Sequence, residues 1–267
     1  KQHVCEEELV RDQRARLQEL EISFVTPNQP RPDLKGTPLT PQILEEAIAH
    51  CSEYQVAFRR QDLEKYILSE HLLCDLSKLN ELIEQNAQLI RTPETNRVRY
   101  TTHVARERER ATIELMQQGQ GAVRAIADDS AIALQLESTH LNSGQRQAVQ
   151  LVATTTDRFI AWQGVAGAGK TYALKEVLPL LQNRGYSIKA LAPSAQAAKV
   201  LGDELGVEAQ TVDLLLTGNR TPENLAPQYW IVDEAGLVGA KNGFELLQRA
   251  TQARARILFV GDSKQLS

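Results

Sequence analysis

The sequence predicts an α/β protein: a mainly parallel sheet covered by helices on both faces, preceded by a mostly α-helical region. Three observations lead there. From Leu141 onward, short apolar runs alternate with helical patterns, which is the order of strand, helix, strand units. The first run, Phe159-Ile160-Ala161-Trp162, leads into Gly164-Val165-Ala166-Gly167-Ala168-Gly169-Lys170-Thr171 and then into an apolar helix over residues 172–181. Before residue 139 the order is instead helix, short strand, two helices and a hairpin.

Residues 1–36 form the first unit, in which Val4, Leu9, Leu17 and Leu20 stand among many charges and support at most a short amphipathic helix. Thr26-Pro27-Asn28-Gln29-Pro30-Arg31-Pro32 and Gly36-Thr37-Pro38 then make a proline-rich linker that cannot continue it. Residues 37–138 are the second unit. Thr40 before Pro41 is a helix-start signal, and Ile43, Leu44, Ala47 and Ile48 follow on one helical face. Residues 55–58 read as a short strand, Leu63, Tyr66 and Ile67 mark a second helix, and Leu79, Leu82, Ile83 and Ala87 a third. Leu89-Ile90 and Arg97-Val98-Arg99-Tyr100 flank a longer turn as a hairpin.

That order is winged-helix-like. Its third helix carries Glu81 and Glu84 against Lys78, a poor face for phosphates, so the module reads as structural or protein-docking. Arg106, Arg108 and Arg110 interleave with Glu107 and Glu109 as a solvated helical face. Residues 102–137 read as two helices broken near Gly119-Gln120-Gly121, with Val123 and Ile126 on the apolar side of the second.

Residues 139–267 are the third unit and carry the chemistry. Gly164, Gly169, Lys170 and Thr171 occupy the fixed places of the phosphate-binding pattern G-x-x-x-x-G-K-[ST], between a strand and a helix as that pattern requires. A polyphosphate needs several N–H donors converging on its oxygens, and glycines, Gly167 among them, permit that approach. Lys170 is placed to reach the outer phosphates, and the Thr171 hydroxyl to ligate magnesium.

Tyr229-Trp230-Ile231-Val232 runs into Asp233-Glu234 about 60 residues after the P-loop. Asp233 there suits a magnesium ion held through water, and Glu234 suits a base that orients and deprotonates an attacking water. A further run, Ile257-Leu258-Phe259-Val260, brings Gly261, Asp262 and Gln265 to the same rim, Gln265 being either a sensor of the last phosphate or a polar loop residue. Ser143 can cap the helix whose first turn holds Gln145, either an adenine contact or an exposed helical glutamine. Ser194, after the strand Ser187–Ala192, lies where open parallel sheets bind ligands, and capping the next helix is an equally good use of it.

Composition sets limits on partners and location. With 267 residues, 42% hydrophobic, the chain buries a sizeable core, and a net charge of -4 argues against coating nucleic acid by bulk electrostatics while leaving room for a local basic groove. No apolar run approaches the ~20 residues of a membrane span and no signal pattern opens the chain, so a cytoplasmic protein is expected. Cys5, Cys51 and Cys74 are widely spaced and read as reduced bystanders. The chain opens on Lys1 and stops just after a core strand, so both ends read as cut from a longer protein.

Leu141-Asn142-Ser143-Gly144-Gln145, the P-loop, Ala192-Pro193-Ser194, Ile231-Val232-Asp233-Glu234-Ala235 and Val260-Gly261-Asp262-Ser263-Lys264-Gln265-Leu266 resemble, in order, the Q motif and motifs I, Ia, II and III of superfamily-one DNA helicases, in their RecD-like 5′-to-3′ branch. Asp157-Arg158-Phe159 and Asp233-Glu234-Ala235-Gly236-Leu237-Val238 are similar to the helicase part of conjugative relaxases of the TraI/TrwC/TraA type. The resemblance covers about residues 37–267 and is specific over 141–267. It implies a RecA-like P-loop NTPase core, helicase domain 1A, with ATP and Mg2+ as cofactors. It further implies that Gln145 contacts adenine, that Lys170 and Thr171 handle phosphates and magnesium, that Asp233 and Glu234 run hydrolysis, and that Gln265 couples the γ-phosphate to DNA. Pro193, Ser194 and Thr211 match positions near the path of single-stranded DNA.

Thr211-Val212-Asp213 departs from the Thr-Ile-His of many RecD-like proteins, which leaves Asp213 without an implied DNA role. The family pattern places a second RecA-like domain with an arginine finger after residue 267, a nicking domain before residue 1, and the conjugative transfer machinery among the partners. A chain without that arginine is expected to bind nucleotide and hydrolyse it slowly. Two other readings stand beside this one: a stand-alone RecD-like repair helicase of the exonuclease V alpha type, and a vestigial module that binds single-stranded DNA without turnover. The presence of Lys170, Thr171, Asp233 and Glu234 together speaks against the vestigial one.

Overall fold

The computed structural model describes residues 37–92, 98–165, 167–218 and 226–262. Helix α1 (Pro41–Tyr54) starts where the sequence signals it, with the Ile43 N–H donating to the Thr40 hydroxyl. Its Ile43, Leu44, Ala47 and Ile48 pack on Leu63 and Ile67 of α2 (Arg60–Glu70) and on Leu79 and Ile83 of α3 (Leu79–Gln85), around a fully buried Phe58. Two short strands that the sequence did not mark, β1 (Thr37–Pro38) and β2 (Cys74–Asp75), pair in parallel beside this core. The expected strand over 55–58 reduces to one bridge, Phe58 with Tyr100, because the chain turns into α2 immediately afterwards. The hairpin is present as β3 (Leu89–Arg91) paired with β4 (Tyr100–Thr102); its turn lies outside the described residues, as do residues 1–36 and Gln265.

Thr102 caps α4 (His103–Gly119), and the break at Gly119 falls where the sequence placed it. The second helix of that region, α5 (Asp129–Glu137), begins later than expected. Val123 and Ile126 belong to the connection before it, whose N–H groups donate to Thr156 and Ala153 carbonyls. Those bonds hold residues 120–128 as a strap rather than a helical turn, and buried Ile126 joins the same core as the sheet.

Five strands build that sheet: β5 (Phe159–Gln163), β6 (Ser187–Ala192), β7 (Ala209–Thr211), β8 (Gln228–Val232) and β9 (Arg256–Gly261). They lie in the order β5-β9-β8-β6-β7, all neighbours parallel. Alternation along β8 shows why both faces need helices, since Tyr229 and Ile231 enter one core while Trp230 and Val232 enter the other. The first core is closed by α5, α6 (Ser143–Thr154), α7 (Lys170–Asn183) and α8 (Ala195–Leu205). The second is closed by α9 (Val212–Thr217) and α10 (Ala240–Gln252), with Leu115 of α4 packed against it.

Arg256, 2% exposed, is the charged residue at the centre of this packing. Its guanidinium donates to the carbonyls of Arg124, Thr155 and Asp157 and lies 5.5 Å from the Tyr229 ring centroid. No carboxylate partners it in those contacts; carbonyl dipoles carry the charge. Arg256→Leu is therefore expected to destabilise the fold by about 3 kcal/mol, because it removes three hydrogen bonds from a charged donor to part-buried carbonyls. Thermal unfolding checks this, with a fall of roughly 6–12 °C expected for a chain of this size.

Among the described residues no helix is long and apolar enough to cross a membrane. Cys51 and Cys74 are buried and free, and burial, helped by Asp62, pushes the Cys51 thiol up to about 11. A thiol so shifted holds its proton and is a poor nucleophile.

Candidate nucleotide-binding site

The carboxyl ends of β5, β9 and β8 lie side by side, and Gly261 sits between the other two. Gln163 pairs with Gly261 in register, and the Gly164 N–H donates to the Gly261 carbonyl at 3.1 Å, so the P-loop leaves the sheet from a fixed point. On its other side a Cβ on Gly261 would lie 3.4 Å from the Gly236 nitrogen and 3.6 Å from that of Ala235, in the turn that follows the two carboxylates. Gly261 thus brings loop and carboxylate turn together.

The P-loop backbone uses its glycines where conformation requires them. Gly167 and Gly169 have φ of 75° and 71°, left-handed values that side chains with a Cβ rarely adopt. Gly169 is the cap of α7, so Lys170 and Thr171 are the first residues of that helix, at its positive end. The Lys170 ammonium donates to the carbonyls of Gly164 at 2.8 Å and Val165 at 3.3 Å, which folds it back over the loop.

Gln145 is engaged with this loop. Its Nε2 donates to the Ala168 carbonyl at 2.9 Å and to that of Gly169 at 3.4 Å, and a Cβ on Gly169 would stand 2.5 Å from that nitrogen. Its Oε1 accepts from the Asn142 N–H at 3.0 Å while the Asn142 side chain accepts from the Gln145 N–H at 2.9 Å. The cap of α6 is therefore Asn142 and not Ser143, which is the first helical residue. Asn-Ser-Gly-Gln carries the reciprocal capping signature, with an amide three residues after the cap, and that signal was available in the sequence.

Asp233 and Glu234 leave β8 at the same rim. The Asp233 N–H donates to the Leu191 carbonyl at 2.9 Å, which continues the β6 pairing by one residue and leaves its carboxylate half-buried. Glu234 is exposed and has φ of 48°, an unusual value for a residue with a side chain. Its carbonyl accepts from the Leu237 N–H at 2.8 Å, closing a 3-10 turn over Ala235–Leu237. Such local strain beside a P-loop marks a place where side-chain direction matters.

The three positions matched to a DNA path divide. The Ser194 hydroxyl accepts from Ala197 N–H and caps α8, and that of Thr211 accepts from Leu214 N–H and caps α9. Pro193 lines a cleft of about 500 Å³ beside them. Asp213, in the same cleft, accepts from the Asn242 amide at 2.6 Å and ties α9 to α10, a contact with no sequence signal. Among the described residues there is no group of three His, Cys, Asp or Glu able to cage a metal.

Similarity to known proteins covers just under half of the chain. The family model described as AAA domain matches residues 140–267. A probable conjugal transfer protein TraA of Sinorhizobium fredii is 32% identical over 130 residues, 48% of this chain and 12% of that protein. The ATP-dependent RecD2 DNA helicase of Deinococcus radiodurans is 34% identical over 129 residues, 46% of this chain and 18% of the helicase. The multifunctional conjugation protein TraI of Escherichia coli K12 is 28% identical over 137 residues, 47% of this chain and 8% of that protein. The chain thus spans less than a fifth of the length of these relatives. Residues 140–267 thus match the AAA domain model, and just under half of the chain is similar to parts of conjugal transfer proteins and of a RecD2 DNA helicase.

Proposed function

We propose that this chain is the N-terminal part of an ATP-dependent 5′-to-3′ DNA helicase motor within a conjugative relaxase. The observation that carries the reading is the meeting of P-loop and carboxylate turn at Gly261 on one sheet rim. Gly164, Gly167 and Gly169 would cradle the β and γ phosphates of ATP with backbone N–H groups at the α7 end. Lys170 would exchange its two loop carbonyls for outer phosphate oxygens, a stronger, charge-assisted pairing. Glu234 would take the proton of the attacking water, and the exposed position of its side chain leaves it free to turn toward that water.

A magnesium ion fits the donor set, since one hydroxyl from Thr171 and one carboxylate from Asp233 beside a triphosphate is the sparse protein ligation that ion takes. When bound it would neutralise charge that develops on the phosphates. Gln145 would hold the loop in shape and, on release, offer its amide to adenine; Gln265 would sense the last phosphate. Single-stranded DNA would run along the rim near Pro193, Ser194 and Thr211, with backbone groups as contacts where the two hydroxyls are engaged as caps.

The similarity to RecD2 supports a second reading, a stand-alone RecD-like repair helicase. A nicking domain encoded upstream in the same gene separates the two. For the motor itself, the test is ATP hydrolysis by the full-length protein with and without single-stranded DNA. Stimulation by the strand is the expected result, and hydrolysis indifferent to DNA would contradict it.

A further inference from the structure

The cleft lined by Pro193 lies beyond the carboxyl ends of three strands, for Pro193 follows β6, Val212 follows β7, and Leu237 and Val238 follow β8. That rim is where open parallel sheets receive ligands. One wall comes from elsewhere in the chain: Glu53 and Tyr54, in the last turn of α1. Lys241 at the start of α10 holds this wall through a 2.8 Å bond to Glu53, which keeps the Glu53 carboxyl below the usual carboxylate range. Gly239 lets the backbones approach, since a Cβ there would lie 3.0 Å from the Glu53 carbonyl and 3.3 Å from the Tyr54 Cα. The Arg108 guanidinium adds a bond to the Ser52 carbonyl.

The backbone of this last turn is thus fixed while Tyr54, 59% exposed, lines the cleft. Further rings continue from it. His50 lies 5.1 Å from Tyr54, and Tyr66 of α2 stacks on His50 at 4.3 Å with the planes 25° apart. Phosphate is a poor occupant, because Glu53, Asp213 and Glu245 bring three carboxylates against Lys241, which is already paired. A nucleobase suits the same walls. Tyr54 offers a π face, Pro193 and Leu237 offer apolar contact, and the second Asp213 oxygen and the Asn242 side-chain carbonyl, outside the 2.6 Å bond that joins these two residues, offer acceptors to base edges.

We propose that this cleft takes an unstacked base of the single strand, with Tyr54 as its stacking face and His50 and Tyr66 continuing the track. The inference rests on the single-strand reading given above and adds that the 37–138 module touches the strand. It revises the expectation of a purely structural or protein-docking module, which followed from the acidic third helix alone.

The test uses the full-length protein and an oligonucleotide carrying 2-aminopurine, whose fluorescence falls when it stacks on an aromatic ring. Wild type and Tyr54→Phe should bind alike and quench the probe. Tyr54→Ala should bind about tenfold more weakly, the loss of one base–aromatic stack, and lose quenching at the cleft. Nucleotide affinity should be equal in all three, which shows that Tyr54→Ala is folded. If Tyr54→Ala binds and quenches as wild type does, the base-stacking role is wrong while the single-strand reading stands. If wild type itself binds no single strand, that reading fails and this one with it.

Discussion

Glu234→Gln in the full-length protein is expected to lower ATP turnover by roughly 10²- to 10⁴-fold, the range for loss of a general base, while nucleotide binding survives. The geometry explains the split. Glu234 is exposed, and the contact that holds its turn is its backbone carbonyl, 2.8 Å from the Leu237 nitrogen. An amide side chain at this position leaves that bond and the Gly261 contact in place, so the site keeps its shape and loses only a proton acceptor. The measurement is a pair: steady-state phosphate release, expected to collapse, and equilibrium binding of a fluorescent ATP analogue, expected to stay within about twofold of wild type. Parallel loss of both would place Glu234 in binding instead of the chemical step.

Lys170→Ala should lower turnover by roughly 10²- to 10³-fold and weaken nucleotide affinity as well, because the ammonium acts on phosphate charge in both ground and transition states. The fold should not notice. Lys170 bonds the loop's own carbonyls, Gly164 and Val165, and just after β5, where Gly164 is partly exposed and Val165 exposed, these can turn to water. The expected signature is an unchanged thermal midpoint without nucleotide and the loss of the upward shift that ATP gives to wild type. A variant that unfolds early would instead assign Lys170 a structural part in the loop.

The two carboxylates, the P-loop and the three strand runs that carry them were legible because each is local: a buried strand four to six residues long followed by residues of special chemistry. What was not legible depends on distant partners. The small edge strand Ala209–Thr211 has too little length for a pattern, and it exists because β6 offers it a pairing edge. Residues 55–58 carry β-like side chains, yet the chain's turn into α2 leaves room for one bridge. Val123 and Ile126 match a helical face, but carbonyls at Ala153 and Thr156 claim their N–H groups for a strap.

In the site, the same rule divides what was seen from what was missed. Lys170 and Thr171 follow from spacing alone, whereas the place of Gly261 between loop and carboxylates follows from strand order β5-β9-β8, which spacing does not give. Asn142 was open to a sequence reading, since an amide at its third following position is the reciprocal cap signal, and Ser143 drew attention one residue too late. Tyr54 carried no signal at all. Its meaning comes from Gly239 and Lys241, almost 190 residues away, which bring the end of α1 to the sheet rim.

The most direct test of the account is strand unwinding by the full-length protein on two duplexes, one with a 5′ single-stranded tail and one with a 3′ tail, each with and without ATP. ATP-dependent opening of the 5′-tailed duplex is expected, with little opening of the other and none with Lys170→Ala. Tight single-strand binding with neither unwinding nor hydrolysis, unchanged in Lys170→Ala and Glu234→Gln, would contradict it and identify a binding module that has lost its motor.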